Sequence, residues 1–499
     1  MKKSISLGLV LAIALVSVAV AAPDDLPGPA WYTGQTIQNV GTAGAIVVVT
    51  AYDATTEYTL DLATDTDKLA AGASSTFMTN DTRFVPLIPD GFQGAAVVSS
   101  DQAIKAIVNV TNVENAGAGL GVAGGWAAAQ YQGVDGSAVD TTVVFPLVKN
   151  NFGNKTTTFY IQNAGTGAAD ITAVYQMRTS PTDPVVVEYT QQLTIPDTGQ
   201  MVVLNPSAAK TAGNVAMPAS RIGALTVTAN KNIAGVVLEH RATESPATLL
   251  QATRGFTPAD YDDVLFVPVM KNKFGDRSTG LQVMNVSGAP VDINVEYFPT
   301  LGTCTDSPGA QKLNLADGES WTFLEVGIAP GCLASAKVTA TGNVVGVINE
   351  SFFYGSHVQA STTYSAYPEK SATTKLAGPV FKEVFGPKGT GLSVQNVSGG
   401  LATITAQFTV DRSQAGTPQG SVYEATFTLE AGEALTLLDV NTLAGLTWGA
   451  TGKLPKKNLC AVVITANQNI VALANESPWP PGAPSLQDKN NYEAFNLVP

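Results

Sequence analysis

Three carboxylates, Glu239, Glu350 and Glu476, recur at one position of a repeated pattern, each at the end of an apolar strand-like run. A fourth copy of the pattern carries Val110 there. Such a carboxylate either touches a ligand in every copy or holds a neighbouring loop or linker by hydrogen bonds, and retention through tandem copies favours the structural role. Asp61, Asp65 and Asp67 are oxygen ligands of the kind calcium takes. Their spacing departs from the EF-hand loop and no closing Glu follows, so a solvated acidic loop is the competing reading. His240 and His357 are the only histidines and fall in different copies. HExxH, CxxC and GxSxG are all absent, so zinc and serine hydrolysis lack their parts. Gly119 to Gly124 matches GxGxxG but lies in a glycine-rich loop without the strand and helix a dinucleotide site needs. No catalytic residue is expected, and calcium at the three aspartates is the only cofactor the sequence offers.

These residues must be placed by an exported β-rich chain. Met1-Lys2-Lys3, the apolar run Ile5 to Val20 and the closing Ala19-Val20-Ala21 predict a signal peptide over 1–21 and a secreted or cell-surface location. In an oxidising compartment Cys304 and Cys332, both in one copy and flanked by Gly, Pro and Asp, are expected to form a disulfide. Cys460 sits in a buried-strand pattern. Only 13% of the 499 residues are charged and the net charge is −13, with no Lys/Arg cluster, which argues against nucleic acid as a partner. No later run reaches membrane-spanning length.

Internal similarity is the strongest organising signal. An Asn that ends an alternating run and opens a turn recurs at 39, 163, 285 and 396, a spacing that makes each copy a whole domain. Aromatics follow at Tyr52, Tyr175, Tyr297 and Phe408 in period-two runs. Next comes a hairpin around Gly72, Gly199, Gly318 or Gly432. A last pair of runs is read as a hairpin turning at Asn230-Lys231-Asn232. The pattern predicts an all-β chain of four tandem sandwiches over 22–140, 141–262, 263–376 and 377–499, strung as a rod.

The Asn-x-Gly turn is joined by an L-x-L-x-x-G-E-x-hydrophobic hairpin, as in Leu313-Asn314-Leu315-Ala316-Asp317-Gly318-Glu319-Ser320-Trp321 and again over Phe427 to Leu437. In these two features the chain resembles the immunoglobulin-like domains of bacterial surface proteins, particularly the cell-adhesion-related type. The resemblance implies four immunoglobulin-like antiparallel sandwiches and stalk, scaffold or adhesive duty. It carries over no catalytic residue.

Before each later Asn anchor stands an apolar strand, at Val143 to Val148, Val264 to Val269 and Gly378 to Phe381. The first copy has a proline-rich stretch instead. The end of the chain, with Phe495, Leu497 and Val498, reads as that strand left over, so one molecule's tail would complete the next molecule's first domain, or else close its own fourth domain. The expected function is a non-enzymatic structural or adhesive surface protein, its partners being itself, other surface proteins or glycans. An array of carbohydrate-binding modules, with exposed Trp31, Trp126, Trp448 or Trp479, is the first alternative. A glycan hydrolase with two carboxylates about 5 to 10 Å apart is the second.

Overall fold

A computed structural model of the chain describes residues 26, 31–61, 68–71, 73–112, 128–241, 249–302, 304, 309–324, 328–354, 357–386, 388–478, 490–493 and 495–496. Within these the protein is all-β, with helical structure limited to short 3-10 turns, and no helix is long and apolar enough to cross a membrane. The period-two runs become strands with one buried face, as in Val291–Gly302, where Val291, Ile293, Val295 and Tyr297 point inward and the residues between them outward.

Each repeat uses the same parts. An anchor strand ends on the repeated Asn: Trp31–Asn39, Lys155–Asn163, Arg277–Asn285 and Lys388–Asn396. In the last three repeats a leading strand precedes it: Asp140–Asn150, Asp262–Asn272 and Thr373–Glu383. A single spanning strand, Arg221–Arg241, Cys332–Tyr354 or Asn458–Pro478, runs through the whole repeat. The expected hairpin at Asn230-Lys231-Asn232 is therefore not formed. The first half of Arg221–Arg241 pairs with the leading strand and with Ala169–Arg178, and the second half pairs with the anchor strand and with Leu250–Arg254. The two halves face different partners because each has its own buried stripe, with the exposed Asn230 to Asn232 crossing between them. In the first repeat the corresponding strand is divided into Ala95–Ser100 and Ile104–Asn112.

One register assignment changes. Tyr52 lies thirteen residues after its Asn, whereas Tyr175, Tyr297 and Phe408 lie twelve after theirs. The core position of the first repeat is therefore Ala51, and Tyr52 points outward. The outward position is used between repeats. A Cβ on Gly199 of the second repeat would come within 2.9 Å of the Tyr52 ring, and Gly318 and Gly432 approach Gln176 and Phe298 of the preceding repeats in the same way. These hairpin glycines are small and take positive φ (+79°, +73° and +80°), which permits the close approach.

The repeats do not form a rod. The short strand after each spanning strand, Ala128–Gln132, Leu250–Arg254, His357–Ser365 and Asn490–Glu493, lies against its counterpart in the next repeat, and the fourth lies against the first. Apolar clusters cross the junctions. Trp31, Val108, Val110 and Tyr131 pack with Tyr160, Ala234 and Val236, Val144 and Phe256 with Met284 and Val345, and Phe266 and Tyr367 with Val471. Ile107 of the first repeat joins the core of the fourth. The chain thus closes into a ring of four repeats because each one buries an apolar outer face against the next. X-ray scattering is expected to give a radius of gyration of about 23 Å, that of a compact chain of this length; a value about twice that would indicate a rod.

Candidate functional site

The repeated Asn is a buried clamp. Asn285 Nδ2 donates to Ala289 O (2.7 Å) and Leu315 O (2.9 Å), while its Oδ1 accepts from Ser287 N (2.9 Å). Asn39 and Asn396 make the same set to Ala43, Leu69 and Gly41 and to Gly400, Leu429 and Ser398. A side-chain amide has both a donor and an acceptor end, so one residue closes its own turn and ties it to the neighbouring hairpin.

Glu239, Glu350 and Glu476 occupy equivalent positions opposite Thr157, Thr279 and Thr390, where Val110 stands opposite Thr33. Each is buried between two cations. Glu239 lies 2.8 Å from Lys149 and 3.0 Å from Lys155. Glu350 lies 2.6 Å from Lys271 and 3.6 Å from Arg277, and Glu476 pairs with Lys382 and with Lys388, the latter at 2.6 Å. Burial alone would raise the Glu239 carboxyl, but Lys149 and Lys155 outweigh it and hold it at about 2. The first cation of each set ends the leading strand and the second opens the anchor strand, so the carboxylate on the spanning strand locks three strands together. The signal that could have found the partners is K-x-x-F-G-x-K/R, at Lys149 to Lys155, Lys271 to Arg277 and Lys382 to Lys388. In the first repeat the anchor-strand cation and the carboxylate are replaced by buried Trp31 and Val110.

Glu383 takes the place that Asn150 and Asn272 hold in the other leading strands. Those asparagines donate to carbonyls, Asn150 to Pro218 O (2.9 Å) and Asn272 to Ile328 O (2.6 Å). The Glu383 carboxylate instead accepts from Val440 N (3.1 Å) and Asn441 N (3.2 Å). Burial pushes it up to about 7 against those two bonds, and the neighbouring Asp439 adds to the rise. Lys456 balances Asp439 from 2.8 Å. Because the folded-state value is raised above 4.5, the stability this group confers is complete below pH 4.5 and is lost as the pH rises through about 7. Denaturant midpoints of Glu383→Gln measured from pH 4.5 to 8 should lack this loss, which is about 3 kcal/mol in the wild type.

Among the described residues, the other positions singled out in the sequence lie apart, except for the two bonded cysteines. Asp61 is exposed at the end of Glu57–Asp61, and Asp65, Asp67, Gly72 and Gly119 to Gly124 lie outside the described residues. Cys304 and Cys332 are bonded, with their Cα atoms 4.8 Å apart and a sequence separation of 28. Opening this loop with reductant should cost about 3 kcal/mol, read as the shift in denaturant midpoint between oxidised and reduced protein. Cys460 is buried, and its thiol is pushed up to about 12 by burial and by Glu383 and Asp411. His240 is not a surface residue but is buried, with Nδ1 3.0 Å from Arg241 O. Trp31 is buried at the first junction and Trp448 packs on the fourth core. Trp321 lies beneath Arg178 of the preceding repeat and Lys312. Trp126 and Trp479 lie outside the described residues, as do Leu497, Val498 and residues 1–21.

Phe495 corresponds to Phe256 and Tyr367, not to a leading strand. Phe256 bridges Val144, Tyr367 pairs with Phe266, and Phe495 pairs with Ala377, each within its own repeat. The tail segment is thus taken up by the fourth repeat of its own chain. The first repeat has no leading strand among the described residues. A cavity of about 150 Å³ lies there, lined in the first repeat by the apolar Ile104, Ala106 and Val134 and the charged Lys105 and Asp135, together with Arg254 and Asp260 of the second repeat.

No known protein family matches the chain, and no curated protein matches it. Among solved structures, Thermotoga maritima 1070 aligns at 17% identity over 22% of this chain and 95% of its own, with a TM-score of 0.18. The serine-rich repeat adhesion glycoprotein Srr1 of Streptococcus agalactiae aligns at 7% identity over 48% of this chain and 97% of its own, TM-score 0.11. The alpha-L-rhamnosidase of Streptomyces avermitilis, solved with L-rhamnose, aligns at 9% identity over 97% of this chain and 57% of its own, TM-score 0.12. By its own geometry the molecule is an all-β protein of repeated sheets.

Proposed function

We propose that this is an exported, non-enzymatic surface protein with a structural or adhesive role, its repeats being immunoglobulin-like sandwiches of the cell-adhesion-related kind. One observation supports the reading above the others. The charged groups that recur in the repeats, Glu239, Glu350 and Glu476 with their lysines and arginine, are consumed in holding strands together. Polar chemistry repeated in tandem thereby serves rigidity, as suits a scaffold that presents its outer surface. Its partners are other surface proteins or glycans. Head-to-tail growth through the tail is not part of this reading, since Phe495–Asn496 is already paired within the chain. Antibody labelling of intact cells of the source organism is expected to decorate their surface or surrounding matrix. Protein confined to the cytosolic fraction would overturn the proposal.

A further inference from the structure

The cavity in the first repeat has a known occupant in the second. There Gly255 N donates to Gly235 O at 2.7 Å, and the leading strand lies over both glycines. A Cβ on Gly235 would come 2.7 Å from the Phe145 ring and 3.3 Å from Val143, and one on Gly255 would meet the same two side chains. In the third repeat Leu265 takes the seat above Gly346, and Leu376 is its register equivalent in the fourth. The first repeat has the same floor, with Gly133 N donating to Ala106 O at 3.0 Å. Above this floor is the cavity of about 150 Å³. Among the described residues the strand that should be flanked there, Ala95–Ser100, pairs on one side only, with Val47–Tyr52.

By count the chain's own first residues do not match the seat, and Leu26, the one described residue ahead of Trp31, is buried in the junction cluster with Trp31, Val110 and Val134. Val143 stands twenty residues before Asn163, and the same count back from Asn39 falls on Ala19, with Ala21 at the Phe145 position and Pro23 following. Alanines are too small to fill a Val or Leu and Phe seat, and they fall in the expected leader. The tail pairs within the fourth repeat, and the three leading strands are central in their own repeats. We propose that the first repeat is a strand-acceptor site. An extended apolar segment of a partner polypeptide adds to the edge of Ala95–Ser100, with a Val- or Leu-sized side chain in the cavity and an apolar or aromatic one two residues on. Lys105, Asp135, Arg254 and Asp260 also line the cavity, so the added strand would meet charged groups of both the first and second repeats beside its apolar seat. The proposal rests on the surface reading only for where the partner is met.

The test uses the purified protein and a labelled synthetic peptide with the sequence of Asp140–Asn150. Saturable binding is expected, with amide exchange in Ala95–Ser100 slowed at least about tenfold. Ala106→Leu, which fills the seat, should weaken binding at least about tenfold, and so should a peptide carrying Val143→Asp, which decides the matter even if the protein variant does not fold. Absence of saturable binding, or binding indifferent to both changes, would overturn the proposal. So would exchange in Ala95–Ser100 that is already slow in the isolated monomer, or slow only in a dimer, since the chain itself or a second copy would then fill the edge. Peptide binding by a protein found inside cells would leave the acceptor site standing and remove the surface function, and the converse result would do the opposite.

Discussion

Glu350→Val is expected to destabilise the third repeat by about 3 to 5 kcal/mol, the usual cost of removing one partner from a buried ion pair. Glu350 is 2% exposed and lies between Lys271 and Arg277, whose side chains are also largely buried. Without the carboxylate two cations face each other across a space closed to water. The first repeat shows the alternative solution, with Trp31 and Val110 filling the positions of Arg277 and Glu350. Replacing all three charges, as Lys271→Met, Arg277→Trp and Glu350→Val together, should therefore restore most of the loss. Denaturant unfolding of the wild type, the single variant and the triple variant measures both effects. A triple variant as unstable as the single one would show that the set contributes by its charge and not merely by its mutual compensation.

Asn285→Ala should cost about 3 kcal/mol, because it strips bonding partners from two carbonyls and one N–H at a site where the side chain is fully buried. Asn285→Asp keeps the shape and the acceptor for Ser287 but turns an anion towards Ala289 O and Leu315 O, and it should cost more. The ordering of the two variants, read from denaturant midpoints and from amide exchange at Ser287, tests the clamp directly. An aspartate milder than the alanine would mean that packing, not the paired donors, is what the position requires.

Much of this was legible in the chain. The Asn anchors, the period-two runs and the equivalence of Glu239, Glu350 and Glu476 are local or repeated features, and alternation of apolar residues dictates which side of a strand is buried. The proline-rich stretch before Trp31, where the later repeats carry a leading strand, also stood out in the sequence, since prolines remove the donors a ladder needs. The readings that failed are those in which one residue more or less, or a partner far away, decides the outcome. Tyr52 is shifted by one position and so turns outward. Asn230 to Asn232 look like a hairpin turn but are a crossing within one long strand. The buried partners of the three glutamates were also missed, because a lysine roughly 80 to 95 residues distant carries no local sign of burial.

By itself, then, the sequence determined the strand content, the four-fold repetition and the positions that recur, all consequences of short-range periodicity and turn chemistry. Only the tertiary structure decided that the carboxylates are locked into ion pairs, that Phe495 serves its own repeat and that the fourth repeat meets the first. Those outcomes depend on which apolar faces find one another across the whole chain. Burial is non-directional, so the pattern within a strand says that a face must be covered but not by what.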